Sequence, residues 1–235
     1  MDDMPRRASS SLSRKRNGQA TAAGGKLLLK DRAYAELKTL IQSGVFAPDT
    51  FLSERQLVER LGMSKTPIRS ALEHLEAQGL VAVSPQQGIV VKDLSAREIA
   101  ELFDIRSAIE PFIVRRLAER SLPADQAARI KANLRNQRAA VNAEDALAAT
   151  KLDIQFHTLL AELLDNREML AWLARCFDKL ERAILRINRL AANRLPKSQA
   201  DHASIAMSVL AGRGGAAAKA MAEHLQYGRQ FLLNA

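Results

Sequence analysis

The sequence predicts a mostly α-helical protein, an N-terminal winged helix-turn-helix followed by a C-terminal all-helical bundle of six helices. Three observations carry that expectation. Residues 53–91 read as a helix, a tight turn, a second helix and a short hairpin. The rest is rich in Ala, Leu and Arg, with only 4% aromatics and little β-branched content. Beyond residue 94, apolar side chains recur at helical spacing in six separate segments.

Each element has its own local grounds. Residues 1–25 are polar, small and basic, cannot bury a core, and read as a disordered basic tail. Residues 26–43 carry Leu29, Ala33, Leu37, Leu40 and Ile41 on one helical side and stop at Gly44. Ser53 and Gln56 are spaced as a capping box, Gly62 suits a left-handed helix end, and Ser64 stands at the next N-cap. Pro67 falls in the first turn of that second helix, where the missing N–H costs nothing. Ile68, Ala71, Leu72 and Leu75 make its buried stripe, while Lys65, Thr66 and Arg69 point away from the core near its N-terminus. Leu80–Ser84 and Ile89–Lys92 flank Pro85-Gln86-Gln87-Gly88 as the strands of a wing. A helix that enters a major groove by its first turns needs cationic and hydroxyl groups there, so residues 26–92 read as a DNA-binding domain.

The second domain spans 95–235, with the boundary near Lys92–Ser95. Ser95 caps a long helix to about Arg120, which Pro111 should kink or break. Pro123 starts a helix to about Asn142. Periodic segments then cover roughly 144–164, 167–194, 199–212 and 216–233, separated by Asp165-Asn166, Pro196 and Gly212–Gly215.

Charge and composition exclude several classes. The net charge of +9 resolves into +5 for residues 1–30, zero for 31–92 and +4 for 93–235. The proposed head is neutral, so its affinity for phosphate must come from where charges sit. No run of eighteen apolar residues provides a membrane span, and no apolar segment near the N-terminus suits a secretory signal. The single Cys176 forms no internal disulfide, in keeping with a reducing cytoplasm.

Four ionisable side chains stand where the bundle core should be. Asp153 and His157 are spaced i, i+4 on the stripe of Phe156, Leu160 and Leu164. His202 shares a face with Ile205, Ala206 and Val209, and His224 with Ala217, Met221 and Gly228. Burying them is costly unless something pairs with them, and one divalent cation satisfies all four. Imidazole nitrogen and carboxylate oxygen suit zinc first, with nickel or manganese as alternatives. The plainer alternative is an Asp153–His157 hydrogen bond beside two separately satisfied histidines. Arg106 also faces the interior, either to pair with Glu110 or to take the carboxylate of a small molecule through its bidentate fork. Arg115, Arg116, Arg135, Arg138 and the arginines of 182–194 read as solvated.

At these residues the chain resembles the GntR family of bacterial transcription regulators, in the FadR subfamily with an FCD effector domain. The resemblance covers about 27–233. It rests on Ser53-Glu54-Arg55 with Leu57, on Ser64-Lys65-Thr66-Pro67-Ile68-Arg69-Ser70-Ala71-Leu72, and on Leu75-Glu76, Gly79-Leu80-Val81 and Gly88. It implies that Arg55, Ser64, Lys65, Thr66 and Arg69 contact pseudo-palindromic double-stranded operator DNA, with Gln87 and Gly88 reaching the minor groove. Asp49 departs from the pattern where a glycine usually follows the proline, and Lys65 where arginine is common.

In the second domain the match is Arg106, Glu110, Asp153-x3-His157, Asn166, His202 and His224. The resemblance implies a metal held by Asp153, His157, His202 and His224, and an organic-acid effector contacted by Arg106 and Asn166. It also implies a homodimer. The expected function is therefore a ligand-responsive DNA-binding regulator, read as a repressor and not an enzyme. Two alternatives stay open: a metal-dependent hydrolase with an incidental helix-turn-helix, and a regulator whose metal cluster is purely structural.

Overall fold

A computed structural model describes residues 28–84, 88–191 and 193–234; the tail at 1–25 and Gln87 of the wing lie outside the described residues. The head comprises α1 (Leu29–Gln42), β1 (Phe51–Leu52), α2 (Glu54–Leu61), α3 (Lys65–Ala77), β2 (Val81–Ser84) and β3 (Gly88–Val91). The expected local signals operate. Ser53 and Gln56 form the capping box, and Gly62 ends α2 at φ 63°. Ala33, Leu37, Ile41, Leu57, Ile68, Leu72, Leu75, Ile89 and Val91 pack into one apolar core.

Some local expectations fail. Leu29 is exposed, because it is the first residue of α1 and precedes the turns that pack on the head. Ser64 holds the N-cap position of α3, yet its hydroxyl makes no capping bond. Sequence periodicity also missed β1, which is only two residues long. It pairs antiparallel with β3 (Phe51 opposite Val90, Leu52 opposite Ile89), giving the sheet order β1-β3-β2. That third strand explains Gly88. Its φ is +87°, and a Cβ there would lie 2.8 Å from the Leu52 carbonyl oxygen, so only glycine lets the strands close.

After the linker come α4 (Ala96–Ala118), α5 (Ala124–Asn142), α6 (Ala146–Leu163), α7 (Arg167–Leu190), α8 (Arg194–Leu210) and α9 (Gly214–Leu233). Ser95 and Glu98 form a second capping box at the start of α4. Pro111 does not interrupt α4, which runs past it to Ala118. Pro196 separates nothing either: it sits in the first turn of α8, where the backbone N–H has no helical partner to lose. A continuous apolar core links the six helices through Phe103, Ile113, Leu117, Ile130, Phe156, Leu160, Leu173, Leu180, Ile205, Met221 and Leu225.

The helix α7 joins the two regions. Asp178, Arg182 and Arg186 recur every four residues along it, and all three reach the head or its linker. Asp178 pairs with Lys38 of α1 at 2.6 Å, Arg182 donates to the Lys92 carbonyl, and Arg186 pairs with Asp93 at 3.0 Å. Arg182 is buried at this junction, which corrects its reading as a solvated arginine.

Candidate metal centre and nucleic-acid interface

Asp153 and His157 come from α6, His202 from α8 and His224 from α9, and all four are buried. One ligand atom from each lies within 4.8 Å of the others, so the fold brings together the four residues that helical spacing put on inward faces. The rings form a cage: His157 and His202 meet edge to face at 5.0 Å, and His202 and His224 lie 4.6 Å apart. Phe156 stacks on His202 at 4.3 Å and closes that side.

Hydrogen bonds set which nitrogen of each ring faces the centre. His157 Nδ1 contacts the Glu110 carboxylate, His202 Nδ1 lies 2.9 Å from Gln137 Oε1, and His224 Nδ1 lies 3.5 Å from Asp201 Oδ2. These partners only accept, so each Nδ1 carries the proton and each Nε2 offers a lone pair. The Nε2 atoms of His202 and His224 face each other at 3.2 Å, and Asp153 Oδ1 is 3.6 Å from His202 Nε2. Two lone pairs opposed in a buried space repel unless a cation comes between them. The donor set of three imidazole nitrogens and one carboxylate fits a zinc-like ion.

Electrostatics favour the ligating protonation states. Burial pushes His202 well below the ordinary imidazole value, and His224 adds to the effect. Burial likewise lowers His224. Burial would raise Asp153, but the surrounding imidazoles and Arg194 outweigh it and hold the carboxyl below its usual range. Glu110 follows the same balance: burial opposes ionisation, and Arg106 with His157 overcomes it, bringing the carboxyl down to about 2.

The supporting residues were mostly missed by sequence reasoning. Gln137, held through its Nε2 by Asn133 Oδ1 at 2.6 Å, orients His202. Ser198 donates to Asp153 at 2.8 Å, and Glu110 links His157 to Arg106. A usable signal existed: Asn133 and Gln137 are polar groups one turn apart on the buried face of α5. Ser198 likewise precedes His202 by one turn on α8.

Arg106 is buried as expected, and the pairing with Glu110 is the one realised, at 2.6 Å. Its Nη2 also lies 3.3 Å from His157 Nε2, and its guanidinium packs 4.5 Å over Phe177 of α7. Asn166 does not join this group. Its side chain caps α7 by accepting from the Met169 N–H at 3.0 Å. It stands past the end of α6, which stops at Leu163, beyond the turn made by Asp165 at φ 59°. Capping alone accounts for an asparagine there. Arg194, read as solvated, is buried beside the cluster.

On the head, Ser64, Lys65, Thr66 and Arg69 are exposed at the start of α3, and Arg55 is exposed on α2. Arg69 is not free: its fork meets Glu54 at 2.8 and 2.9 Å. Arg55 pairs with Glu59 one turn along α2 at 3.1 Å.

Comparison with known proteins places both regions. Residues 29–91 match the family described as bacterial regulatory proteins, gntR family, and residues 101–227 match the FCD domain family. The HTH-type transcriptional repressor RspR of Escherichia coli (strain K12) is 28% identical over 201 residues, covering 84% of this chain and 86% of that protein. The gluconate operon transcriptional repressor of Bacillus subtilis (strain 168) is 27% identical over 135 residues, covering 57% of this chain and 55% of its own length. Among solved structures, E. coli McbR/YncC has a TM-score of 0.78 at 20% identity, covering 89% of this chain and 99% of that one. A putative GntR regulator from Rhodococcus sp. RHA1 has a TM-score of 0.78 at 23% identity, covering 88% and 98%. Those two likenesses establish the fold. Both families and the named relatives are transcriptional regulators rather than enzymes, which sets the hydrolase alternative aside.

Proposed function

This chain belongs to the FCD-domain family of gntR-type bacterial regulators, and on that premise we propose that it is a metal-loaded, acid-responsive repressor. It is a DNA-binding transcriptional regulator by family. The finer reading adds a homodimer on a pseudo-palindromic operator, a divalent ion at Asp153, His157, His202 and His224, and a small organic acid beside it. The observation that carries this reading is a set of three Nδ1-tethered imidazoles and a carboxylate whose ligand atoms all lie within 4.8 Å of one another. When bound, the ion supplies a Lewis-acidic partner for a carboxylate oxygen, with zinc preferred by the donor set and nickel or manganese as alternatives. The word repressor rests on the names of the relatives.

In this reading each domain has its own task. Residues 26–92 read DNA through Ser64, Lys65, Thr66, Arg69 and Arg55, with Gln87 and Gly88 of the wing at the minor groove. Residues 95–235 hold the ion and the acid and pair the protomers. Arg106 guides the carboxylate, and Asn166 is left to its cap. The helix α7 couples the two parts: Phe177 packs on Arg106 and His157, while Asp178, Arg182 and Arg186 grip the head. An acid that binds one arrangement of α7 better than another shifts the spacing of the two heads, and operator affinity with it. No helix among the described residues is long and apolar enough to cross a membrane. We place the protein's action in the cytoplasm, where its operator would be.

The test is operator binding by zinc-loaded protein across a panel of organic acids, with Arg106→Ala alongside. Wild-type affinity should change with at least one acid; the variant leaves Glu110 without its guanidinium and should melt at a lower temperature, yet where it stays folded it should bind operator while losing that response. An unchanged response in Arg106→Ala would remove Arg106 from the mechanism. The pairing of Arg106 with Glu110 favours a second reading, in which the ion only braces the bundle. Chelation that lowers the melting temperature with no acid altering operator binding would establish it.

A further inference from the structure

Arg106 is not the only guanidinium beside the imidazole cage, and the other has no ion-pair partner among the described residues. Arg194 is the first residue of α8 and is only 6% exposed. Among the described residues its side chain makes no hydrogen bond or ion pair, and its Nη1 is fully enclosed without a partner. It is walled instead by rings, with its guanidinium 5.7 Å from the centroid of Tyr227 and 5.9 Å from that of Phe231. Gly228 of α9 lies against it: a Cβ there would meet Phe103 at 3.4 Å and Arg194 Nη2 at 3.6 Å, both at ordinary contact distance.

A permanently charged group in such a place is costly unless an anion meets it. Asp153 feels its charge from a distance, but no carboxylate of the described residues reaches it. The chain places Arg194 in register with the cluster, since Arg194, Ser198 and His202 recur at i, i+4 and i+8 along one buried stripe of α8. Ser198 donates to Asp153, and His202 stands in the cage itself. One turn of helix, about 5.4 Å, separates Arg194 from the residue that holds Asp153. That spacing suits a short carbon chain between two anionic ends.

We propose that Arg194 binds a second carboxylate of the effector, so that the ligand class is a small dicarboxylic acid. The proposal rests on the reading of the cage as a metal and acid site. It gives the two buried arginines different tasks. Arg106 already has Glu110 and is retained by it, whereas Arg194 gains its paired counter-charge only from the ligand.

Calorimetric titration of the zinc-loaded full chain tests this with succinate and glutarate against butyrate and pentanoate, the monoacids of matching length. Wild type should bind at least one diacid tenfold or more tightly than its monoacid. Arg194→Gln should abolish that preference while leaving zinc stoichiometry and monoacid affinity unchanged. Its ligand-free melting temperature should equal or exceed that of wild type, because an unpaired buried charge has been removed. A melting temperature lowered by several degrees with zinc still bound would mark Arg194 as structural and overturn the proposal. Equal binding of diacids and monoacids by wild type, or a preference that survives in Arg194→Gln, would overturn it while leaving the acid-binding reading intact. Failure of every acid to bind zinc-loaded wild type would remove both.

Discussion

Each half of the molecule sets an arginine guanidinium on a glutamate, at the surface in the head and in the core of the bundle, and burial gives the two pairs opposite properties. In the head, Glu54 holds the Arg69 fork at the surface, where 61% of the arginine side chain is exposed. In the bundle, Glu110 holds Arg106 with both side chains at 4% exposure or less. Water and salt screen the first pair, so a DNA phosphate or a guanine edge can take the place of the carboxylate. The second pair has no water to fall back on, and losing either partner strands a charge. Reading DNA needs contacts that exchange; a cage for an ion needs contacts that do not.

The largest expected effect is therefore on the buried side. Glu110→Ala removes the counter-charge of Arg106 and the acceptor of His157, and should destabilise the fold by about 3–5 kcal/mol. Chemical denaturation with and without zinc would measure it. A cost no larger than that of an exposed pair would erase the contrast. Next, Gln137→Ala frees His202 to rotate and should weaken zinc binding roughly 10- to 100-fold with the fold intact. Competition against a chromophoric chelator reports that affinity, and an unchanged value would show that packing against Phe156 alone orients the ring.

A pH series on chelator-treated protein sharpens the same point. His202 and His224 have folded pKa values below the ordinary imidazole value. The unfolded chain therefore takes up protons first as the solution acidifies. Their contribution is intact above about pH 6.5 and is lost as pH falls through that value toward the lower folded ones. The metal-free melting temperature should drop between about pH 7.5 and about pH 5.5. Zinc should offset the drop at the upper end of that range, since the ion binds only the neutral imidazoles. A flat profile would mean that the folded and unfolded chains take up protons at these rings alike, so that burial leaves them unshifted.

How far each half could be read from sequence follows the same division. Head residues act through contiguous motifs, so Ser53-Glu54-Arg55 and the run from Ser64 to Leu72 located α2, its cap and the start of α3 directly. The bundle's inward faces were equally readable, because period alone put Asp153, His157, His202 and His224 inside. Pairings across space were not. Nothing local announces that Gln137 will meet a ring 65 residues away. Nor does sequence reveal that β1, two residues long, will crowd Gly88. Reading the arginines of 182–194 as solvated holds for Arg186 and Arg189 and fails at two positions for another reason: α7 meets the head, which buries Arg182, and α8 starts inside the bundle, which buries Arg194.

The smallest expected effect tests the surface half of the comparison. Glu54→Gln should leave the melting temperature nearly unchanged, since an exposed ion pair contributes little to stability. It should act on DNA instead. Glu54 is a carboxylate already seated in the Arg69 fork, so it competes with any phosphate that approaches. Removing its charge should raise affinity for non-specific duplex a few-fold and steepen the logarithmic salt dependence by up to about 0.9, the slope expected for one further phosphate contact. Arg69→Ala should do the reverse, flattening that slope and weakening operator binding roughly tenfold or more. If Glu54→Gln instead weakens operator binding while salt dependence stays the same, the carboxylate is aiming the fork rather than competing for it. The surface pair would then be held to one geometry just as the buried pair is, and exposure alone would no longer separate contacts that exchange from contacts that do not.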